Sequence, residues 1–131
     1  MSKKEFDQKG FTLIELLVVM SIIGVLSMVA VPKFTNTISL ANTSKIQSDL
    51  RVLNTSITLY QAQNGKYPSN LTTDLKDYIV DIDNLHPPKG SCFLRTGETL
   101  EITDKNYTYS SEKHEALCQS HSLSEFGRKT E

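Results

Sequence analysis

Residues 16–31 carry no charged side chain, and the longer stretch 11–31 is apolar but for one charge, Glu15. At about 1.5 Å of rise per residue, its 21 residues make a helix of about 30 Å, enough to cross a hydrocarbon core. Apolar residues fall all the way round such a helix, so lipid or other apolar helices must surround it. Lys3, Lys4 and Lys9 precede the run and favour a cytoplasmic N-terminus. An ordinary secretory signal peptide fits poorly. A cut after Ala30 would put Met28 where a small residue is wanted, and Glu5, Asp7 and Glu15 are out of place in such a signal.

The remainder of the chain is polar and rich in Thr, Ser and Asn. Its 131 residues are one domain's worth by the usual length prior. Fourteen Lys and Arg against 15 Asp and Glu leave a net charge of −1, which argues against nucleic-acid binding through bulk charge. Two Cys and 3 His exclude a multi-cysteine zinc module and a heavily cross-linked scaffold. No nucleophile-elbow, paired-acid or phosphate-loop pattern is present, so no enzymatic activity is expected.

Glu15 is the informative residue. A carboxylate near the edge of a membrane segment costs a few kcal/mol. No Lys or Arg follows it within one helical turn, so its partner must be the leader, another chain or a newly made amine. The bland alternative is a side chain that snorkels to the interface.

Gly10-Phe11-Thr12-Leu13-Ile14-Glu15 resembles the processing and assembly motif of type IV pilins and of the related pseudopilins of type II secretion and DNA uptake. The resemblance is strong over residues 9–34. A weaker likeness covers 60–68, Tyr-Gln-Ala-Gln-Asn-Gly-Lys-Tyr-Pro, which looks like the end of the long helix in such proteins. It implies cleavage between Gly10 and Phe11 by a prepilin peptidase, methylation of the new amine on Phe11, and assembly through Phe11 and Glu15. Gly24 and Pro32 fall where many pilins have helix-loosening residues. The implied partners are copies of the same subunit, minor pilins, an inner-membrane assembly platform and its ATPase. The implied location is the inner membrane for the single-pass precursor, then an extracellular pilus or a periplasmic pseudopilus. No cofactor is implied.

The expected fold is α+β, with a long N-terminal hydrophobic-to-amphipathic helix packed against a small antiparallel β-sheet head. Residues 1–10 read as a cleaved leader, 11–37 as the membrane or filament-core half of the helix, and 38–131 as the head. The head divides into an amphipathic helix half at 38–64, a connecting loop at 65–91, and a sheet with a tail at 92–131. Ile38, Ile46, Leu50, Leu53, Ile57 and Tyr60 are spaced as one helical face, with Asp49, Arg51, Asn54 and Ser56 between them. Pro32 removes one backbone bond, and Gly24 weakens the helix by about 1 kcal/mol relative to Ala. Residues 24–32 are therefore expected to be able to extend under assembly or load; the alternative is a mild kink and nothing more. Asn64-Gly65 ends the helix, and Pro68 blocks its continuation. A short helix is expected at 71–80, with Thr72 or Thr73 near its start. Strands are expected at 92–95, 99–103 and 106–110, covering the 46–60 stripe. Residues 122–131 read as a loose tail.

Cys92 and Cys118 are the only cysteines, in a head that the resemblance places in an oxidising compartment, and many pilins close their C-terminal region with a disulfide. A bridge would close 27 residues and contribute about 3.5 kcal/mol in the chain-entropy model. The alternative is two free, buried thiols. Zinc on Cys92, His114, Cys118 and His121 is disfavoured because Cys92 is remote in sequence. Asp81, Asp83 and Asn84 read as a solvated acidic loop rather than a calcium site, so no metal is expected. Lys66, Lys89, Arg95 and Lys105 are scattered, so nucleic acid is not directly indicated.

Overall fold

The computed structural model describes residues 9–129. The expected leader falls outside the described residues up to position 8, as do the last two residues of the expected tail. One helix, α1, spans Leu13–Asn64, and the chain divides into one unit ending at Thr35 and a second from Asn36 onward.

In the first unit every apolar side chain of α1 from Leu13 to Val29 is more than half exposed. Among the described residues, α1 is the helix long and apolar enough to cross a membrane. Its small polar residues are satisfied internally. The hydroxyls of Ser21 and Ser27 donate to the carbonyls of Leu17 and Ile23, both at 2.7 Å, as a helix in lipid requires. The helix runs through Gly24 and Pro32 without interruption.

In the second unit α1 turns one face inward. Ile46, Leu50, Leu53 and Ile57 are buried as the spacing demands, and Tyr60 packs against them. The stripe does not start at Ile38, which is 58% exposed; Ser39 and Thr43 occupy the inward positions instead. Asp49 and Ser56 are buried too. Small polar residues at 39 and 43 let the first strand approach closely enough for hydrogen bonds, which a branched apolar side chain would prevent. Gly65 ends the helix as expected, at φ +69, with its N–H on the carbonyl of Gln61 at 2.8 Å.

The connecting region holds α2, Leu71–Asp74. It is one turn long rather than reaching residue 80, and its N-cap is Asn70 rather than a threonine. The Asn70 carboxamide oxygen accepts from the N–H groups of Thr72 (2.9 Å) and Thr73 (3.2 Å). A 3₁₀ turn follows at Ile82–Asn84.

The strands are β1 Gly90–Phe93, β2 Thr99–Ile102, β3 Thr108–Ser110 and β4 Glu115–Leu117. They form two antiparallel pairs, β1 with β2 and β3 with β4, rather than one small sheet. β4 was not expected: three residues with Glu115 at their head are too few to show alternation. The expected loose tail is also corrected. Phe126 is fully buried, Leu94 and Phe126 form a β-bridge, and Ser122 and Glu125 close a capping box. One aromatic ring in the core orders this segment despite its polar composition.

α1 holds these strands by hydrogen bonds as well as by apolar contact. The Asn42 carboxamide donates to the carbonyls of Ser91 (2.9 Å) and Lys89 (3.2 Å), and Phe93 N–H donates to the Thr43 hydroxyl at 2.8 Å. Ala116 N–H donates to the Asn54 carboxamide at 2.8 Å, and Gln47 donates to the carbonyl of Phe126 at 2.7 Å. Strand edges that face the helix are thereby satisfied by its side chains.

Candidate assembly site

The N-terminal end of α1 is built from Phe11, Thr12, Ile14, Glu15, Val18 and Val19. Thr12 and Glu15 form a capping box. Thr12 donates its backbone N–H and its hydroxyl to Glu15 Oε2, at 2.8 and 2.9 Å, and the N–H of Glu15 returns to the Thr12 hydroxyl at 3.3 Å. Leu16 N–H on the carbonyl of Thr12 at 3.2 Å is the first helical bond of the turn. Glu15 thus has a partner in its own chain, besides those considered from sequence. The Thr-x-x-Glu spacing is the sequence signal for this cap. An apolar groove of about 340 Å³ runs between Phe11, Ile14, Val18 and Val19, with Glu15 at its edge. Phe11 is 93% exposed. Gly10 lies just before the helix, and a Cβ at Gly24 would meet only open space.

The remaining candidates lie in the second unit. Cys92 and Cys118 are both buried and are free thiols in the structure. Burial, with Glu101 nearby, pushes the Cys92 thiol up to about 11; burial, with Cys92 itself nearby, pushes Cys118 up to about 12. His114 stacks on Tyr67 with ring centres 3.8 Å apart, and His121 contacts Glu125 at 3.2 Å. Among the described residues no three His, Cys, Asp or Glu gather as a metal site. Asn84 donates to Asp81 at 2.7 Å, and Lys76 lies 3.9 Å from Asp83, so the acidic loop is internally partnered. Lys66, Lys89, Arg95 and Lys105 are all exposed, and Arg95 donates to the carbonyl of Phe126 at 3.2 Å. A buried polar network escaped the sequence reading. Asp49 Oδ2 accepts from the Tyr107 hydroxyl at 2.6 Å and from Lys45 at 2.7 Å. Burial, with Asp49 beside it, raises the Tyr107 hydroxyl well above the usual tyrosine range.

A lipid-compatible helix exposed on all sides, opened by a carboxylate-bearing cap and continued into a small α+β head, defines a pilin-like class of protein. The prokaryotic N-terminal methylation motif matches residues 6–31. The type IV major pilin protein PilE1 of Neisseria gonorrhoeae is 31% identical over 107 residues, 75% of this chain and 65% of that protein. The type II secretion system core protein G of Klebsiella pneumoniae is 39% identical over 62 residues, 47% of this chain and 44% of that protein. The competence protein ComGC of Halalkalibacterium halodurans is 32% identical over 81 residues, 62% of this chain and 79% of that protein. The chain belongs to the type IV pilin and pseudopilin family. The matched stretch spans less than two thirds of the pilin and of the secretion core protein. No solved structure matches the chain.

Proposed function

We infer that the chain is a structural subunit of a type IV pilus or pilus-like filament, polymerised through the N-terminal part of α1. The observation that carries this reading is a helix whose apolar side chains are exposed all round, with a single carboxylate at its start. In this reading a prepilin peptidase cuts the inner-membrane precursor after Gly10, and the new amine on Phe11 is methylated. That amine approaches Glu15 of a neighbouring copy. At about 4 Å and an effective dielectric near 20 the attraction is on the order of 4 kcal/mol. It offsets burial of the carboxylate only when both charges are present, so it selects register rather than adding much net stability. Cleavage leaves Thr12 and Glu15 in the chain, so the cap holds the carboxylate in place before a neighbour arrives. Gly24 and Pro32 supply the give that packing of staggered helices demands.

The head faces outward, where a Cys92–Cys118 bridge would brace it. An assembly platform, its ATPase and minor pilins are the expected partners, and the mature chain resides in an extracellular pilus or a periplasmic pseudopilus. The likeness to the secretion core protein over 62 residues supports a second reading in the same class, the major pseudopilin of a type II secretion system. A lone anchored binding module is the reading from another class. Glu15→Leu separates it: a subunit inserts in the membrane but makes no filaments, whereas a tether is unaffected. Electron microscopy of surface filaments separates a long pilus from a short pseudopilus.

A further inference from the structure

The β1–β2 pair has two edges, and they are closed in different ways. Phe93 sends its N–H to Thr43 and its carbonyl to the N–H of Gly127, so β1 turns these groups away from β2. Cys92, opposite Leu100, and Gly90, opposite Ile102, therefore face β2. It follows that Leu100 and Ile102 point their backbone groups at β1, while Thr99, Glu101 and Thr103 point theirs outward. Those three residues are exposed. At this outer edge one side chain stands where a strand would. Gln119 donates its Nε2 to the carbonyl of Glu101 at 2.8 Å and accepts the N–H of Thr103 on Oε1 at 2.8 Å. A carbonyl and the N–H two residues on are the pair that a neighbouring strand would engage.

The residue type at 119 fits this task and not its own turn. Cys118 and His121 exchange both backbone hydrogen bonds at 2.9 Å, closing a two-residue loop in which Gln119 and Ser120 have φ of +49 and +67. Loops of this kind favour Asn-Gly, because few other side chains take positive φ readily. Asn at 119 would suit the turn better, but its carboxamide is one methylene shorter and falls short of the edge. Open strand edges invite pairing between copies, and a single side chain that fills one prevents it.

We propose that Gln119 is an edge guard: its carboxamide takes the place of a strand on β2 and keeps that edge from pairing with β2 of a second copy. Glu101 adds a weaker obstacle, since antiparallel self-pairing centred there would set two carboxylates opposite each other. The guard concerns the second unit alone and stands whether or not the chain polymerises through α1.

The test uses the full-length chain in membranes. In Gln119→Asn the amide of Thr103 exchanges with solvent about tenfold faster, while the amides of Leu100 and Ile102, paired with β1, keep their protection. Glu101→Cys removes the repelling charge and reports pairing, the native thiols being buried. Under mild oxidant, Glu101→Cys combined with Gln119→Asn gives a disulfide dimer, and Glu101→Cys alone does not. Unchanged protection of Thr103 in Gln119→Asn overturns the guard, as does equal dimer formation in the single and double variants. Absence of dimer in the double variant overturns pairing between copies.

Discussion

Thr12 donates both its backbone N–H and its hydroxyl to a single oxygen of Glu15. The carboxylate therefore caps the chain's own helix start, apart from the pairing with a neighbour's amine proposed for it. Two functions of one side chain can be pulled apart by substitution. Thr12→Ala removes the hydroxyl cap at a cost of about 1 kcal/mol to the helix start but leaves the charge. Glu15→Leu removes the charge together with the acceptor that Thr12 caps, and favours insertion. Thr12→Ala should form filaments at reduced yield, and Glu15→Leu none, with membrane fractionation showing both precursors inserted. Equal filament yield from Glu15→Leu and the parent would overturn the role of Glu15 in assembly, and absence of filaments from the parent would overturn polymerisation.

Gly10→Val should leave a precursor of full length, because a branched side chain replaces the residue on the acyl side of the expected cut. Intact mass spectrometry of the parent should find Phe11 first, carrying a methyl group. A product starting at Phe11 from the Gly10→Val chain would count against processing by the peptidase.

The buried thiols set an alkaline limit on the reduced protein. Cys92 and Cys118 ionise near 9 when unfolded but at about 11 and about 12 when folded. The unfolded chain thus releases protons first, so their contribution is complete below pH 9 and is lost as pH climbs through the folded values. Thermal melts of the reduced protein should fall from pH 9 upward. Oxidation to a Cys92–Cys118 bridge should abolish that fall up to about pH 10, where Tyr107, itself raised by burial, begins to act. Non-reducing electrophoresis after alkylation tells which form is present.

Tyr107→Phe should destabilise the head by about 1–2 kcal/mol, because it leaves buried Asp49 with Lys45 as its remaining hydrogen-bond donor. Asp49→Ala should cost more, since it strands the Tyr107 hydroxyl within the core. Denaturant unfolding followed by circular dichroism measures both. A Tyr107→Phe chain as stable as the parent would mean that water replaces the hydroxyl.

Phe126→Ala should cost about 3–5 kcal/mol, the usual range for emptying a buried aromatic site. Arg128→Ala, exposed two residues further on, should have little effect. Thermal melting of both variants would show whether the C-terminal segment belongs to the core.

The sequence made some of these features visible and hid others for identifiable reasons. Ile46, Leu50, Leu53 and Ile57 announced their face because four apolar residues at helical spacing bury cooperatively. Gly65 announced the helix end because glycine takes the positive φ of a C-cap without strain, and Pro68 follows it. β4 and Phe126 were hidden because three residues, or one ring, set no period. Asn42, Thr43 and Asn54 were hidden because a polar residue on an inward face looks like solvent exposure until its backbone partner is known. At the candidate assembly site, Glu15 stands out through its charge, while Thr12 reads as one more small residue.

The side chains of Asn42, Thr43 and Asn54 act as a ruler for the head. Each meets a fixed backbone atom, so adding one residue to α1 between positions 43 and 54 would swing Asn54 about 100° away from Ala116 while Thr43 stayed on Phe93. Length changes should therefore be rejected more strongly within that stretch of helix than in the connection at 65–69, where the contacts at stake are Tyr67 stacked on His114 and the buried Pro68. Swapping loops between related heads is then feasible so long as the helical spacing of those three anchors is left untouched.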